Sequence, residues 1–166
     1  MLYTPWREEY TETTPQGPQG QDKTPEDQCV FCTHIKENND EKHFILKRYK
    51  HSYVILNRYP YNAGHILILP FQHKALLSEL SQDSRLELIE NTSYVTALLR
   101  KELTCDGINV GINMGKAAGA GIPSHLHIHI VPRWSGDTNF LPVIGGTKVV
   151  SSNLATLYEK LKKHFV

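Results

Sequence analysis

Ser124-His125-Leu126-His127-Ile128-His129-Ile130 alternates histidine with aliphatic residues. Alternation of period two marks a β-strand, in which successive side chains point to opposite faces. A strand here turns three imidazoles to one face, and Leu126, Ile128 and Ile130 to the other. The apolar face can cover a core. The histidine face asks for another explanation, because polar residues rarely gather in a protein interior. Imidazole titrates near neutrality and serves as nucleophile, proton donor or metal ligand. The bland alternative is a surface strand whose histidines are incidental.

The flanks sharpen this. Pro132-Arg133-Trp134 ends the strand, since proline cannot donate to a central ladder. Before it runs a glycine-rich turn from Asn113 to Pro123. Small residues let a backbone approach a ligand closely, and bared amides with one lysine, Lys116, suit phosphate. Such a loop alone is usually only a turn. Placed directly before three aligned imidazoles, it becomes a candidate phosphate cradle.

At this point the chain resembles the histidine triad (HIT) family of nucleotide hydrolases and transferases. His125 through Val131 carry the motif, in which histidine and apolar residues alternate. The resemblance runs from about Phe44 to Trp134. It includes Leu56-Asn57-Arg58-Tyr59-Pro60 and Gly64-His65-Ile66-Leu67-Ile68-Leu69-Pro70. Three further pieces resemble the bacterial diadenosine-polyphosphate phosphorylase branch: Leu2 to Arg7, the turn from Gly119 to His125, and Pro132-Arg133-Trp134 running on to Lys148.

Composition bounds the reading. The 166 residues suffice for one domain with a core. Apolar content is 40% and formal charge +1, so no long basic nucleic-acid surface and no nucleic-acid partner is expected. No run of eighteen apolar residues occurs, so no membrane span is expected. The N-terminal stretch lacks the apolar core of a signal peptide. Three cysteines make an odd count, which argues against a disulfide framework and for a reducing cytoplasm.

Residues Thr11 to Asp27 are rich in Pro, Gly, Gln, Thr and acids and read as a linker. We therefore expect residues 1–27 to be an N-terminal arm and linker, and residues 28–166 the HIT domain. The arm carries Tyr3, Trp6 and Tyr10 and is expected to dock on a hydrophobic surface. Strands are expected at Phe44–Tyr49, Ser52–Asn57, His65–Leu69, Ile108–Met114 and His125–Val131. A short helix is expected near Leu76–Leu80. A long helix from Gln82 to Leu103 follows a Ser81 cap, with Leu86, Ile89, Tyr94, Val95, Leu98 and Leu99 as its apolar face. Asn153 to Phe165 reads as a closing helix. Strands and helices without a βαβ rhythm indicate an α+β class, with an antiparallel sheet of about five strands.

Cys29-Val30-Phe31-Cys32 is a C-x-x-C: a redox pair, a metal half-site or two buried small residues. Zinc needs four ligands, so two more donors must come from elsewhere. The resemblance implies them: a histidine after a Pro-x-x-His turn, here Pro70-Phe71-Gln72-His73, and the first triad histidine, His125. The implied set is Cys29, Cys32, His73 and His125 around a structural zinc. Cys105 reads as a small hydrophobe.

The resemblance also implies roles. His127 attacks the α-phosphorus of a nucleotide, giving a nucleotidyl-histidine that water or phosphate then resolves. His129 donates to a non-bridging phosphate oxygen. His65 matches the family's fourth histidine, with a hydrogen-bonded core histidine as the alternative. Asn57 matches the position that binds ribose hydroxyls. Asn113, Gly121 and Ser124 match the phosphate side, and Tyr53, Ile55 and Leu56 are expected to wall the base. Many HIT hydrolases carry Gln or Ser in the turn before the triad, but Gly119-Ala120-Gly121-Ile122-Pro123 has neither. That favours a dinucleoside-polyphosphate phosphorylase or hydrolase over a nucleoside phosphoramidate hydrolase. A non-catalytic nucleotide-binding module is the third reading. The resemblance implies a homodimer. The segment from Trp134 to Lys148, rich in Gly and apolar residues, is expected to order against a partner.

Overall fold

The computed structural model describes residues 24–137, 140, 144 and 153–165. The N-terminal arm and most of the segment from Trp134 to Lys148 lie outside these. The elements in chain order are α1 (Val30–Lys36), α2 (Asp40–His43), β1 (Ile45–Arg48), β2 (Ser52–Leu56), β3 (Ile66–Pro70), α3 (Gln82–Leu103), β4 (Gly107–Ile112), β5 (Ile128–Arg133) and α4 (Leu154–Lys162). The class is α+β, as expected. The five strands form one antiparallel sheet in the order β1-β2-β3-β5-β4.

Each face of the sheet has its own cover. On one face, Val54, Leu56, Ile66, Ile68, Ile128 and Ile130 pack against Leu88, Val95, Leu98 and Leu99 of α3, and Tyr158 and Leu161 of α4. On the other, Ile45, Tyr53, Ile55, Leu67 and Leu69 pack against Cys29, Phe31 and Cys32. The period-two pattern of β2, β3 and β5 supplies both faces at once, so these strands are buried throughout apart from half-buried Arg133.

Four expectations are revised. Pro132 does not end the strand: β5 runs on to Arg133 with Pro132 in register against Ile108 of β4, which is possible because the pairing with β3 stops at Ile130 and leaves that side of Pro132 without a ladder partner. The short helix is a 3-10 turn, Leu77–Glu79. The strand of the histidine stretch begins at Ile128, so His125 and His127 precede it. The amide of Leu126 bonds to the Lys74 carbonyl rather than to a neighbouring strand, which carries the alternation past the ladder's end. On α3 the apolar face is rotated. Leu86, Ile89 and Tyr94 are exposed, and the buried stripe is Ser84, Leu88, Asn91, Val95, Leu98 and Leu99. Buried Asn91 donates to Ser52 Oγ (3.0 Å), and Ser52 donates to Glu87 (2.6 Å). This polar bridge ties the helix to β2, and it disguises the stripe in the sequence. The Ser81 cap forms, its hydroxyl accepting from the Ser84 amide. Asn153 caps α4 likewise.

Gly64 enters β3 at φ +74°, and a Cβ there would collide with the Leu103 side chain. Gly64→Ala is expected to lower stability by about 1–2 kcal/mol, because a left-handed backbone is unfavourable for a residue with a Cβ. The urea midpoint measures this, and no change would remove the constraint.

Candidate active site and metal centre

Cys29 occupies the N-cap position of α1, and Cys32 lies in its first turn. This turn presses both thiols against the sheet beside His125, while His73 follows the end of β3. One ligand atom from each of Cys29, Cys32, His73 and His125 falls within 4.8 Å of every other. Three sulfur–nitrogen distances are 3.5 Å (Cys29 Sγ to His125 Nδ1), 3.4 Å (Cys32 Sγ to His73 Nδ1) and 3.5 Å (Cys32 Sγ to His125 Nδ1). A tetrahedral ion with bonds of about 2.3 Å to sulfur and 2.05 Å to nitrogen has sulfur–nitrogen edges of about 3.5 Å. The set therefore has the dimensions of a Cys2His2 site.

The far ring nitrogens agree. His125 Nε2 lies 2.9 Å from the Pro70 carbonyl, and His73 Nε2 lies 3.0 Å from the Thr24 carbonyl. A carbonyl only accepts, so both rings donate from Nε2 and turn an Nδ1 lone pair towards the sulfurs. Backbone anchoring of the second nitrogen is the usual support of a ligating histidine. Burial, with the second thiol alongside, pushes Cys32 up to about 12. A divalent cation held by the four would reverse that preference by stabilising thiolate.

His127 follows His125 by two residues and lies against the ring of Phe31 at 5.4 Å. Its Nδ1 is 2.8 Å from the His125 carbonyl, so Nδ1 carries the proton and Nε2 the lone pair. Burial lowers its pKa, and the backbone bond partly opposes this. The lone pair is thus available at neutral pH. His129 sits on β5 opposite Leu67 of β3. Its Nδ1 is 3.0 Å from His65 Nε2, and its own Nε2 is buried without a partner among the described residues.

Two cavities flank these rings. One of about 200 Å³ is lined by Phe31, Ile55, Leu56, Asn57, Leu67 and Ile122, with His34, His43, Val30, Arg58 and Tyr59 completing it. Phe31 links it to His127. The other, about 340 Å³, is lined by His129, Tyr61, Asn62, Asn109, Gly111, Asn113, Val131 and Arg133 among others. Gly111 stands directly across from His129 on β4, and nothing lies within 4 Å of where its Cβ would be.

The predicted residues divide between these places. Asn57 and Leu56 line the smaller cavity, and the Asn57 amide lies 3.3 Å from His65 Nδ1. Asn113 lines the larger one instead. Gly121 and Ser124 are in neither described lining; Ser124 is buried with its hydroxyl unpartnered among the described residues. Tyr53 shares a sheet face with Ile55 but is fully buried against Phe71, and it is not in the cavity's described lining. Sequence reasoning missed Phe31, whose signal was an aromatic between two cysteines. It also missed the stacked pair His34 and His43, at 4.1 Å, in the unforeseen helices α1 and α2.

The HIT domain model matches residues 37–136. The chain belongs to the HIT domain family. Over 118 residues it is 39% identical to an AP-4-A phosphorylase of Mycobacterium tuberculosis, a match covering 71% of this chain and 60% of that relative. Among solved structures, a hypothetical histidine triad nucleotide-binding protein of Sulfolobus tokodaii is 29% identical. It has a TM-score of 0.64 over 81% of this chain and 87% of that one. A Zn-bound histidine triad family protein of Mycobacterium smegmatis is 24% identical, with a TM-score of 0.68 over 84% of this chain and 94% of that one. The last likeness speaks to the HIT fold alone.

Burial and the neighbouring His127 lower the pKa of His129 to about 4. A histidine in the unfolded chain protonates near 6.5. As pH falls from about 6.5 towards 4, the unfolded chain gains a proton that the folded His129 refuses, so folding stability falls across that window. NMR of labelled histidine is expected to show a neutral His129 ring down to about pH 4. A midpoint near 6.5 would contradict this.

Proposed function

We propose that this HIT domain is a nucleotidyl-transferring enzyme acting on dinucleoside polyphosphates of the diadenosine tetraphosphate type. One observation carries the reading: His127 Nε2 offers a neutral lone pair beside the buried Nε2 of His129, which has no partner among the described residues. A lone pair attacks phosphorus, and an adjacent donor stabilises the charge that gathers on phosphate oxygen. The relative named AP-4-A phosphorylase supports the substrate class.

The nucleoside enters the smaller cavity, with its base among Phe31, Ile55, Leu56 and Leu67 and its ribose at Asn57. The α-phosphorus then lies at His127. Nε2 forms a P–N bond as the P–O bond to the departing nucleotide breaks. Phosphate or water next attacks the same phosphorus, the P–N bond breaks, and His127 regains its lone pair. The departing part extends past His129 into the larger cavity, where Gly111 leaves room and Asn113 offers an amide. Gly121 and Ser124 contribute donors on the phosphate side. A nucleoside phosphoramidate hydrolase would share the nucleophile, and a non-catalytic nucleotide-binding module would share the cavities.

Cys29, Cys32, His73 and His125 would hold a structural zinc, which supplies a fixed anchor for the chain segment before α1. The acting form is a homodimer. Among the described residues β4 is one of the sheet's two outer strands, β1 being the other, and it carries half-exposed Val110. An outer strand presents unpaired backbone groups that a second chain can pair with or cover. No helix of the described residues is long and apolar enough to cross a membrane. The odd cysteine count and a metal-suited dithiol fit a reducing compartment such as the cytoplasm.

Product analysis of diadenosine tetraphosphate with and without inorganic phosphate tests the reading. ADP formed only with phosphate identifies a phosphorylase, and AMP formed without it a hydrolase. His127→Asn is expected to lower kcat by at least ~10³-fold. Full turnover in that variant would overturn the nucleophile. Elemental analysis of the purified protein is expected to find about one zinc per chain, lost together with thermal stability in Cys32→Ala.

A further inference from the structure

We propose that the backbone amide of Tyr61, acting through His65, sets the tautomer of His129 and so aims a ring N–H into the site. The inference rests on the proposed function for its catalytic consequence, but its geometry is independent of substrate. The Tyr61 amide donates to His65 Nδ1 at 3.1 Å. The side-chain amide of Asn57 approaches the same nitrogen at 3.3 Å. An N–H directed at Nδ1 excludes a proton there, so His65 carries its proton on Nε2. That nitrogen lies 3.0 Å from His129 Nδ1 and must donate to it. His129 Nδ1 is then an acceptor. Being neutral, His129 holds its single proton on Nε2, the buried nitrogen without a partner among the described residues. An unpaired buried donor is unfavourable unless something accepts from it. An incoming phosphate oxygen does so.

The origin of this relay is itself held. The Asn62 carbonyl accepts from the His65 amide (3.2 Å), and Asn62 Nδ2 donates to the Pro132 carbonyl (3.1 Å) and to Asp137 (2.7 Å). Asp137 in turn takes both Nε and Nη2 of Arg133 at 2.7 Å, and the Trp134 amide at 3.1 Å. Two stretches of sequence that line the cavities, Tyr59 to Gly64 and Arg133 to Asp137, thereby join into one clamp. His65, Asn62 and Asp137 are positioning residues. They act on the reaction through His129.

The test uses the full chain as purified, with His65→Leu, His65→Gln and Asp137→Ala. Long-range proton–nitrogen NMR reads the His129 tautomer, and kinetics on diadenosine tetraphosphate read kcat and KM separately. In the parent protein His129 is expected in the Nε2–H form alone. His65→Leu is expected to mix the tautomers and lower kcat by roughly 10²-fold, the cost of losing one aimed donor, with little change in KM. In His65→Gln the side-chain amide donates where His65 did, so tautomer and most of kcat return. Asp137→Ala is expected to shift the tautomer in the same direction, less far, and still reads the relay if His65→Leu does not fold. A His129 proton on Nδ1 in the parent, or an unmoved tautomer in the folded His65→Leu or, failing that, Asp137→Ala, overturns the inference. An Nε2–H tautomer in a parent protein that turns over no dinucleoside polyphosphate upholds the relay and rejects the proposed function instead.

Discussion

The carbonyl and ring of His125 hold three parts of this molecule in one place. Its Nε2 donates to the Pro70 carbonyl at the end of β3, its Nδ1 faces Cys29 and Cys32, and its carbonyl takes the His127 proton. The sheet thus orients His125, and His125 orients His127. A net hydrogen bond contributes only about 1 kcal/mol, but an orphaned buried partner costs more than the bond supplies. Each of these contacts is therefore more important as a constraint on geometry than as a source of stability.

Burial then does the electrostatic work. It lowers the pKa of His125, His127 and His129, so three adjacent rings share a small volume without charge. A neutral imidazole has one donor and one acceptor. Which nitrogen is which follows from the fixed partners: the Pro70 and His125 carbonyls at one end and the Tyr61 amide at the other. Rings with the same chemistry thereby present opposite atoms, a lone pair at His127 Nε2 and, by the proposed relay, a proton at His129 Nε2.

Much of this was legible in the sequence, and the failures have physical causes. Strict alternation announced the buried strand and the grouping of its histidines, because period two survives even where the ladder stops. The metal quartet came from resemblance, and the chain brings all four residues together. The rotation of α3 was hidden because Asn91 fills a core position whose partner, Ser52 of β2, is 39 residues away. Helices α1 and α2 went unread because their short spans give periodicity too few turns. The clamp of Asn62 on Asp137 was equally invisible, since it spans 75 residues and uses common polar side chains.

The separation between Cys29 and His125 is 96 residues, and that between Cys32 and His73 is 41. Closing loops of this size costs chain entropy that local contacts cannot offset early in folding. The surroundings of the proposed nucleophile therefore depend on the sheet bringing β3 and β5 together. An ion held by the four residues would cross-link the chain from Cys29 to His125, and would slow the first opening of the fold more than it speeds its formation. The centre that prepares the chemistry would then also act as a timer on how long a finished molecule survives.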